Sequence, residues 1–278
     1  MNVLQALKHL IENKYSLIDQ TADGLRRANN AGDSLEGYIK DAFAGSMEAR
    51  SAVAREQAWN RTFSYQGSAN NPPDAMIKAG VAIETKKLGT YTGDMALNSS
   101  HPKSQLRKDD SKISELAKTA EDWDQKDLVY AIGTVKGGHL KRLWLIYGDC
   151  LAADSFVYLK TEQVVSKLIR ESAGLYLAQT NEIANIRNID PMDRSILRIR
   201  GMWSLRNPNK AFEFLTSRES SAQRYVMLRE STYQGLPSSD RAMVESIKVS
   251  GLHSRIVNIP DPNDSSGEIE ARFISYEF

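Results

Sequence analysis

Three side chains near residue 80 have the types and spacing of a centre that cleaves phosphodiester bonds. Asp74 follows Pro73, and ten residues later Glu84 and Lys86 flank Thr85. Two carboxylates can hold Mg²⁺, which takes oxygen ligands and keeps several waters. The backbone carbonyl of Thr85 is a candidate third ligand. An ammonium at Lys86 would lie beside the metal-bound water, where it can orient the water and offset charge developing on a phosphate.

The strand register must bring Asp74 to the face that carries Glu84. Residues 81–86 alternate in polarity, so Glu84 and Thr85 point to opposite sides of a strand. A two-residue turn would place Asp74 opposite Thr85, on the wrong face. A three-residue loop ending at Gly80 places Asp74 opposite Glu84, and its last residue has a positive φ that suits glycine. We therefore predict a β-hairpin with a three-residue loop. The predicted core face of this hairpin consists of Ala75, Ile77, Val81 and Ile83.

The length of 278 residues suits one elaborated domain or two small ones, and with 41% hydrophobic residues the chain can build a core. No apolar run reaches the length of a membrane span, and the first residues lack a signal-peptide pattern. The single cysteine, Cys150, excludes an internal disulfide and suits a reducing cytoplasm, where we expect the protein. Cys150 lies in an apolar run and is predicted to be a core residue.

Charge is unevenly distributed along a chain whose net charge is only +1. Residues 187–229 hold eight Arg and one Lys against two Asp and two Glu, a local balance of +5. A basic third on a nearly neutral protein suits contact with phosphates. The alternative is an ordinary solvated surface, since surfaces are charged in any case.

Hydrophobic periodicity predicts an α/β fold, with helices around a mixed central sheet. The first helix, residues 2–13, is amphipathic, and the second begins at Asp33 or Ser34 as N-cap. Residues 89–110 are expected to form a loop, and the last hundred residues look like an addition. The other predicted helices span 46–60, 111–120 and 161–173. The other predicted strands span 61–65, 127–135, 142–147, 195–203, 255–259 and 268–276.

Several segments resemble one nuclease family. Pro73-Asp74 with Glu84-Thr85-Lys86 is similar to the PD-(D/E)xK nuclease signature, which many nucleases share. The flanking strings are more specific and resemble the NgoPII family of type II restriction endonucleases over roughly residues 1–155. The matching segments are residues 27–36, 70–74, 96–103 and 144–150.

This resemblance implies a restriction-endonuclease-like core that cleaves double-stranded DNA with Mg²⁺ at a short GC-rich palindrome such as GGCC. It implies a homodimer that acts beside a cognate DNA methyltransferase. We expect a catalytic core at residues 30–175 and additions for DNA recognition and dimerisation at residues 180–278. By resemblance, Glu36 is a further metal ligand, although a first-turn glutamate also stabilises a helix without any metal.

Polar residues near these segments are candidates for DNA contact. Their amide, hydroxyl and cationic groups suit phosphates or base edges, and arginine can bond guanine through two parallel hydrogen bonds. The alternative for each is a polar loop without a partner. The candidates are Arg26, Arg27, Asn29, Asn30, Asn70, Asn98, Ser99, Ser100, His101, Lys103, Arg198, Arg200, Arg206 and Lys210.

Two other functions share the same predicted core. One is a structure-selective nuclease of repair or recombination, and the other is a DNA-binding protein without chemistry. Because Asp74, Glu84 and Lys86 are all present, the sequence favours an enzyme.

Overall fold

The computed structural model describes residues 1–13, 27–67, 72–97, 100–171, 176–177, 182–216 and 222–278, with the backbone alone at residues 27–34 and 176–177. The helices are α1 Val3–Glu12, α2 Arg27–Ala44, α3 Ala52–Thr62, α4 Glu115–Thr119, α5 Ser155–Arg170, α6 Pro208–Ala211, α7 Glu230–Gly235 and α8 Ser238–Ser246.

The strands are β1 Phe63–Tyr65, β2 Ala75–Ile77, β3 Ala82–Leu88, β4 Met95–Leu97, β5 Gln105–Arg107, β6 Gln125–Lys136 and β7 His139–Tyr147 in the first half of the chain. The second half adds β8 Tyr176–Leu177, β9 Ala184–Arg187, β10 Leu197–Ile199, β11 Trp203–Leu205, β12 Gln223–Arg229, β13 Leu252–Pro260 and β14 Glu268–Glu277.

One large mixed sheet organises the described part of the chain. Its strand order is β1-β2-β3-β6-β7-β12-β14-β13, and β5 pairs with β6 off this path. The pairs β3–β6 and β7–β12 are parallel, and the other pairs are antiparallel. The predicted α/β class with a mixed central sheet is therefore confirmed.

Helices α1 and α2 cover one face of the sheet. Asn2 caps α1 through a capping box with Gln5, which satisfies backbone donors at the helix start. The predicted apolar stripe of α1 is buried, as are Leu35 and Ile39 of α2. Burial of each such leucine stabilises the fold by about 1.5–3 kcal/mol. Gly133 lets α2 approach the sheet, because a Cβ there would lie 2.7 Å from the Leu35 side chain.

A second apolar cluster lies on the opposite face of the sheet. Trp144 is 1% exposed and packs against Tyr225 and Phe273, with ring centroids 4.7 and 5.9 Å away. The small sheet of β4 and β11 closes this face through Met95 and Leu205. The central sheet therefore lies between two separate hydrophobic layers.

Three local predictions were wrong. Helix α2 begins at Arg27, so Asp33 and Ser34 lie inside it and do not cap it. Residues 89–110 contain two short strands, β4 and β5, which pair with strands distant in sequence. Residues 195–203 do not form one strand, since β10 pairs with β9 and β11 pairs with β4. The pairing of β4 with β11, about a hundred residues apart, is a long-range contact that local periodicity does not report.

The last third of the chain is integral to the sheet. Strand β12 lies between β7 and β14, and the predicted terminal hairpin is present as β13 and β14. Residues 223–277 therefore contribute three strands to the central sheet, and the roles of residues 180–278 in DNA recognition and dimerisation stay predictions. Within the described ranges, no helix is long and apolar enough to cross a membrane.

Candidate active site

The β2–β3 hairpin has the predicted register. Ala75 pairs with Ile83 and Met76 with Ala82, and the Ile77 amide donates to the Val81 carbonyl at 2.9 Å. This register places Asp74 opposite Glu84 across the strand pair. The predicted core face is buried as a set in the cluster beneath α1 and α2.

The glycine of this turn has a different role from the one predicted. The positive φ, 49°, belongs to Ala79 and not to Gly80. At Gly80 a Cβ would lie 2.9 Å from the Ile77 Cγ2 atom, so close packing across the hairpin restricts the position to glycine. The loop length was predicted correctly, but the residue with left-handed backbone was not.

Asp74, Glu84 and Lys86 converge at the hairpin. The Thr85 amide donates to Asp74 Oδ2 at 2.6 Å, which ties Asp74 to the neighbouring strand. Lys86 Nζ lies 2.6 Å from Glu84 Oε1, while the Glu84 Oε2 atom is buried without a hydrogen-bond partner. The Lys86 side chain is 27% exposed, so solvent reaches this edge of the group.

Burial and neighbouring charges shift the pKa values of Asp74 and Lys86. Burial, and then the charge of Glu84, raise the pKa of Asp74 to about 7, against the opposing effects of the Thr85 amide and Lys86. Burial acts to lower the pKa of Lys86, but the charge and hydrogen bond of Glu84 and the charge of Asp74 outweigh it and raise that pKa. Lys86 is therefore a cation at neutral pH.

These residues fit a small divalent cation. A buried carboxylate oxygen without a partner, beside a second carboxyl whose ionisation is disfavoured, is a donor set that a cation would satisfy. No cluster of three or more His, Cys, Asp or Glu side chains able to hold a metal occurs among the described residues. Asp74 and Glu84 therefore form a two-carboxylate set, which suffices for Mg²⁺ because it retains waters.

Glu36 lies near this pair of carboxylates but forms an ion pair with a lysine of its own helix. Its carboxylate lies 2.6 Å from Lys40 Nζ, one turn along α2, and its charge contributes to the raised pKa of Asp74 after larger effects. Lys40 also donates to the Gln66 carbonyl at 2.7 Å. Sequence reasoning missed Lys40, although the Glu-x-x-x-Lys spacing on a helix signals such a pair. The Thr85 hydroxyl is buried without a partner, and its side chain faces away from Glu84.

His101 and Lys103 are interior residues. The His101 ring is stacked on Tyr158, with centroids 5.5 Å apart, and Lys103 forms an ion pair with Asp110. The Lys103 amide donates to the Tyr130 hydroxyl at 2.9 Å. Each residue is 3% exposed, so in this structure neither presents its side chain to a ligand the size of DNA. Ser100 is partly exposed at the edge of the same segment.

Three of the four cationic DNA-contact candidates in the last third of the chain form ion pairs. Arg198 and Arg200 both bond Glu182, at 2.6 and 2.7 Å, so they do lie on one side of the chain as predicted. Hydrogen bonds from Arg198 lower the pKa of Glu182 to about 2. Lys210 lies 3.7 Å from Asp94, and Arg206 is exposed. Ion pairing therefore neutralises much of the local positive excess.

Several predicted DNA-contact residues fall where the structure describes no side chain. Residues 26, 70, 98 and 99 lie outside the described residues, and at residues 27, 29 and 30 only the backbone is described. Their role in DNA contact stays a prediction.

Sequence reasoning also missed a polar clamp that holds the loop after β3. Asn207 Nδ2 donates to the Gly93 carbonyl at 2.9 Å, and Asn209 Nδ2 donates to the Tyr91 carbonyl at 3.1 Å. Trp144 Nε1 donates to Asn209 Oδ1 at 2.7 Å. The clamp joins the C-terminal third to the loop that follows β3, the strand that carries Glu84. No local sequence pattern predicts this contact.

Sequence comparisons show which known proteins this chain resembles. The model of the family described as NgoPII restriction endonuclease matches residues 1–260. A type II restriction enzyme, NgoPII of Neisseria gonorrhoeae, is 36% identical over 281 residues, covering 99% of each chain. No solved structure matches the chain.

Both matches span nearly the whole chain and define the class as that of type II restriction enzymes. The chain belongs to the NgoPII restriction endonuclease family.

Proposed function

We propose that this protein is a type II restriction endonuclease that hydrolyses phosphodiester bonds of double-stranded DNA, with Mg²⁺ as cofactor. The convergence of Asp74, Glu84 and Lys86 on one hairpin carries the proposal. Family membership supports the substrate class, since the relative from Neisseria gonorrhoeae is a type II restriction enzyme.

Asp74 and Glu84 would hold the cation, and the Thr85 carbonyl is a further candidate ligand. A bound Mg²⁺ supplies Lewis acidity, which favours hydroxide over water and neutralises charge on the phosphate. Asp74 is fixed by the Thr85 amide, so it is positioned before any ligand arrives. Lys86 remains protonated because of its neighbouring carboxylates, so it orients the attacking water and offsets charge but is not the base.

A palindromic site is read best by a twofold dimer, and we propose that two copies act together, one on each strand. Sedimentation equilibrium should then give twice the 31.1 kDa mass of one chain. By similarity to the family we propose a GC-rich site such as GGCC, protected in the cell by a cognate DNA methyltransferase.

Contacts to DNA are proposed for the exposed Arg206 and Lys210 and for Arg198 and Arg200, which would exchange Glu182 for a phosphate or a base. The same proposal extends to the other predicted contacts, which are Arg26, Arg27, Asn29, Asn30, Asn70, Asn98, Ser99 and Ser100. Burial of His101 and Lys103 favours a structural role for these two residues instead.

Digestion of a plasmid of known sequence, with Mg²⁺ or with EDTA, tests the function. Discrete fragments with one repeated end sequence, formed only with Mg²⁺, are expected. A smear or cutting at branched structures would indicate a structure-selective nuclease. Binding without any cutting would indicate a DNA-binding protein.

Variants test the site assignment. Glu84→Ala and Lys86→Ala should abolish cleavage and leave DNA binding measurable by fluorescence anisotropy. Lys78→Ala is the matched control, because Lys78 lies in the turn at the far end of the same hairpin and is exposed. Persistent Mg²⁺-dependent cleavage by either site variant would refute the assignment.

A further inference from the structure

Arg224 is a buried cation at the start of β12. It is 1% exposed and lies on the face of the sheet that α1 and α2 cover. Across the sheet it shares a row with Leu143, Gly133 and Lys87, on three successive neighbouring strands. Three strand spacings separate it from Lys87 by about 14 Å, so it lies outside the candidate active site.

One edge of the Arg224 guanidinium has no partner. The Nη1 group donates to the carbonyl oxygens of Gln223 at 3.0 Å and Leu140 at 3.4 Å. The Nε and Nη2 groups are buried and donate to nothing in the described structure. These two N–H groups point along parallel directions and form the fork with which arginine binds the oxygens of an anion.

A third buried donor without a partner belongs to the residue that pairs with Arg224 on the neighbouring strand. Tyr276 is the register partner of Arg224 across β12 and β14, and its hydroxyl is buried without a hydrogen bond. Both side chains therefore project from the same face of adjacent strands. Phe278 packs on the guanidinium, with the ring centroid 5.1 Å from Cζ, and shields this region from water.

No described carboxylate balances the charge of Arg224. The groups that act on it are the hydroxyls of Tyr38 and Tyr276, and the Tyr38 oxygen lies near the guanidinium without hydrogen-bond geometry at Nε or Nη2. Burial outweighs both of them and lowers the pKa of Arg224. A buried charge without a counter-ion is strongly destabilising, so native structures pair such charges.

We propose that the Nε–Nη2 edge of Arg224 and the Tyr276 hydroxyl bind a small monovalent inorganic anion, of which chloride is the type. A single guanidinium balances one negative charge, and three buried donors suit an acceptor without hydrogens of its own. Tyr38 lies on α2, two residues beyond Glu36, so the anion also stabilises the helix beside the candidate active site. The site is independent of the proposed function.

Thermal unfolding of the whole chain in sodium chloride, bromide and gluconate at one ionic strength tests the site. Constant ionic strength removes general screening, and gluconate is too large to enter. The melting temperature should rise with chloride or bromide and not with gluconate. Above the dissociation constant, each tenfold rise in chloride should raise the folding constant about tenfold. Equal melting temperatures in all three salts would overturn the proposal.

Variants locate the effect. Arg224→Met should lose the halide response, and Tyr276→Phe should weaken halide affinity about tenfold. Arg272→Met is the matched control, because Arg272 is a mostly buried arginine that already has a carboxylate, Glu230, at 2.7 Å. It should be less stable but keep the full response. A halide response of ordinary size in Arg224→Met would exclude the site.

Crystals of the wild-type protein grown in sodium bromide provide a readout that does not need the variants to fold. An anomalous peak within hydrogen-bonding distance of Arg224 Nε and Nη2 is expected. A map with bromide elsewhere and none beside Arg224 would contradict the proposal.

Discussion

Asp110 and Asp109 are adjacent carboxylates in opposite environments. Asp110 pairs with the buried Lys103, whereas Asp109 is 69% exposed and pairs with Arg107 on the surface. Burial acts to raise the pKa of Asp110, but the charge and hydrogen bond of Lys103 outweigh it and lower that pKa. The same residue type is therefore buried and ion-paired at one position and exposed to solvent at the next.

Asp110→Asn should destabilise the protein by about 3–5 kcal/mol at pH 7, because it leaves the Lys103 ammonium buried and unpaired. A depressed carboxyl pKa stabilises the fold above the usual value near 3.8, and this stabilisation is lost as the pH falls through the depressed value. The difference in the free energy of unfolding between the variant and the wild type should therefore become smaller in acid. Urea denaturation at pH 7 and pH 3 measures it.

Asp109→Asn is the control for this comparison, since the Arg107–Asp109 ion pair is exposed and contributes little to stability. Equal losses of stability in the two variants at pH 7 would show that Lys103 is not a buried counter-ion.

The pKa shift of Asp74 affects stability in the opposite direction to that of Asp110. Its pKa is raised from the usual 3.8 to about 7, so ionisation opposes folding, and the protein loses stability as the pH rises between these values. Asp74→Asn should therefore be more stable than the wild type at pH 8 by on the order of 4 kcal/mol, with little difference at pH 4. It should also be inactive. Thermal unfolding in EDTA checks the first result, and a wild-type stability that is flat over this range would contradict it.

At the scale of elements, Gly148 shows how close backbone contact positions a segment. A Cβ at Gly148 would lie 2.5 Å from the carbonyl oxygens of both Lys103 and Ser104, neither of which can rotate away. Gly148 thus lets the turn after β7 lie directly against the segment that buries His101.

Gly148→Ala should destabilise the protein by about 1–3 kcal/mol or more, because two backbone segments must separate. Gly235→Ala is the matched control, since it ends α7 with no atom within 4 Å of the added Cβ, and alanine favours a helix. Differential scanning calorimetry of the two variants should show a loss only for Gly148→Ala. A loss of similar size in both would mean that the contact at Gly148 relaxes freely.

Sequence reasoning succeeded where one element determines its own geometry. The alternation in β3 and the loop length after Ile77 together fix the register, so the convergence of Asp74, Glu84 and Lys86 was predictable. The Gly137-Gly138 turn between β6 and β7 was predictable for the same reason. Strands β4 and β11 were not, because each has three residues and gains its partner from a segment about a hundred residues away.

The same limit applies to residues judged by their chemistry alone. Lys103 and Arg198 carry the same charge and were both expected to contact DNA. One is buried against Asp110, and the other is exposed and shares the Glu182 carboxylate with Arg200. These environments depend on how the folded chain packs around each side chain, which the charge of the residue alone does not report.

At the scale of the whole molecule, the last third completes the fold. Strand β12 pairs with β7 over five residues and with β14 over seven, and it supplies Val226 and Met227 to the two opposite apolar layers. Without it, β7 becomes an open edge with exposed apolar side chains on both faces. The residues that carry the candidate site therefore depend on strands more than 130 residues later in the chain.

A chain truncated after residue 216 should accordingly lack cooperative unfolding, even though it retains Asp74, Glu84 and Lys86. Circular dichroism and thermal unfolding of the fragment measure this. The control is a full chain in which residues 262–266, in the exposed loop between β13 and β14, are replaced by a short glycine-containing turn. Because both strands keep their pairing, this control should unfold cooperatively. A fragment that melts as sharply as the control would show that residues 1–216 fold on their own, with β12 to β14 as a separable addition.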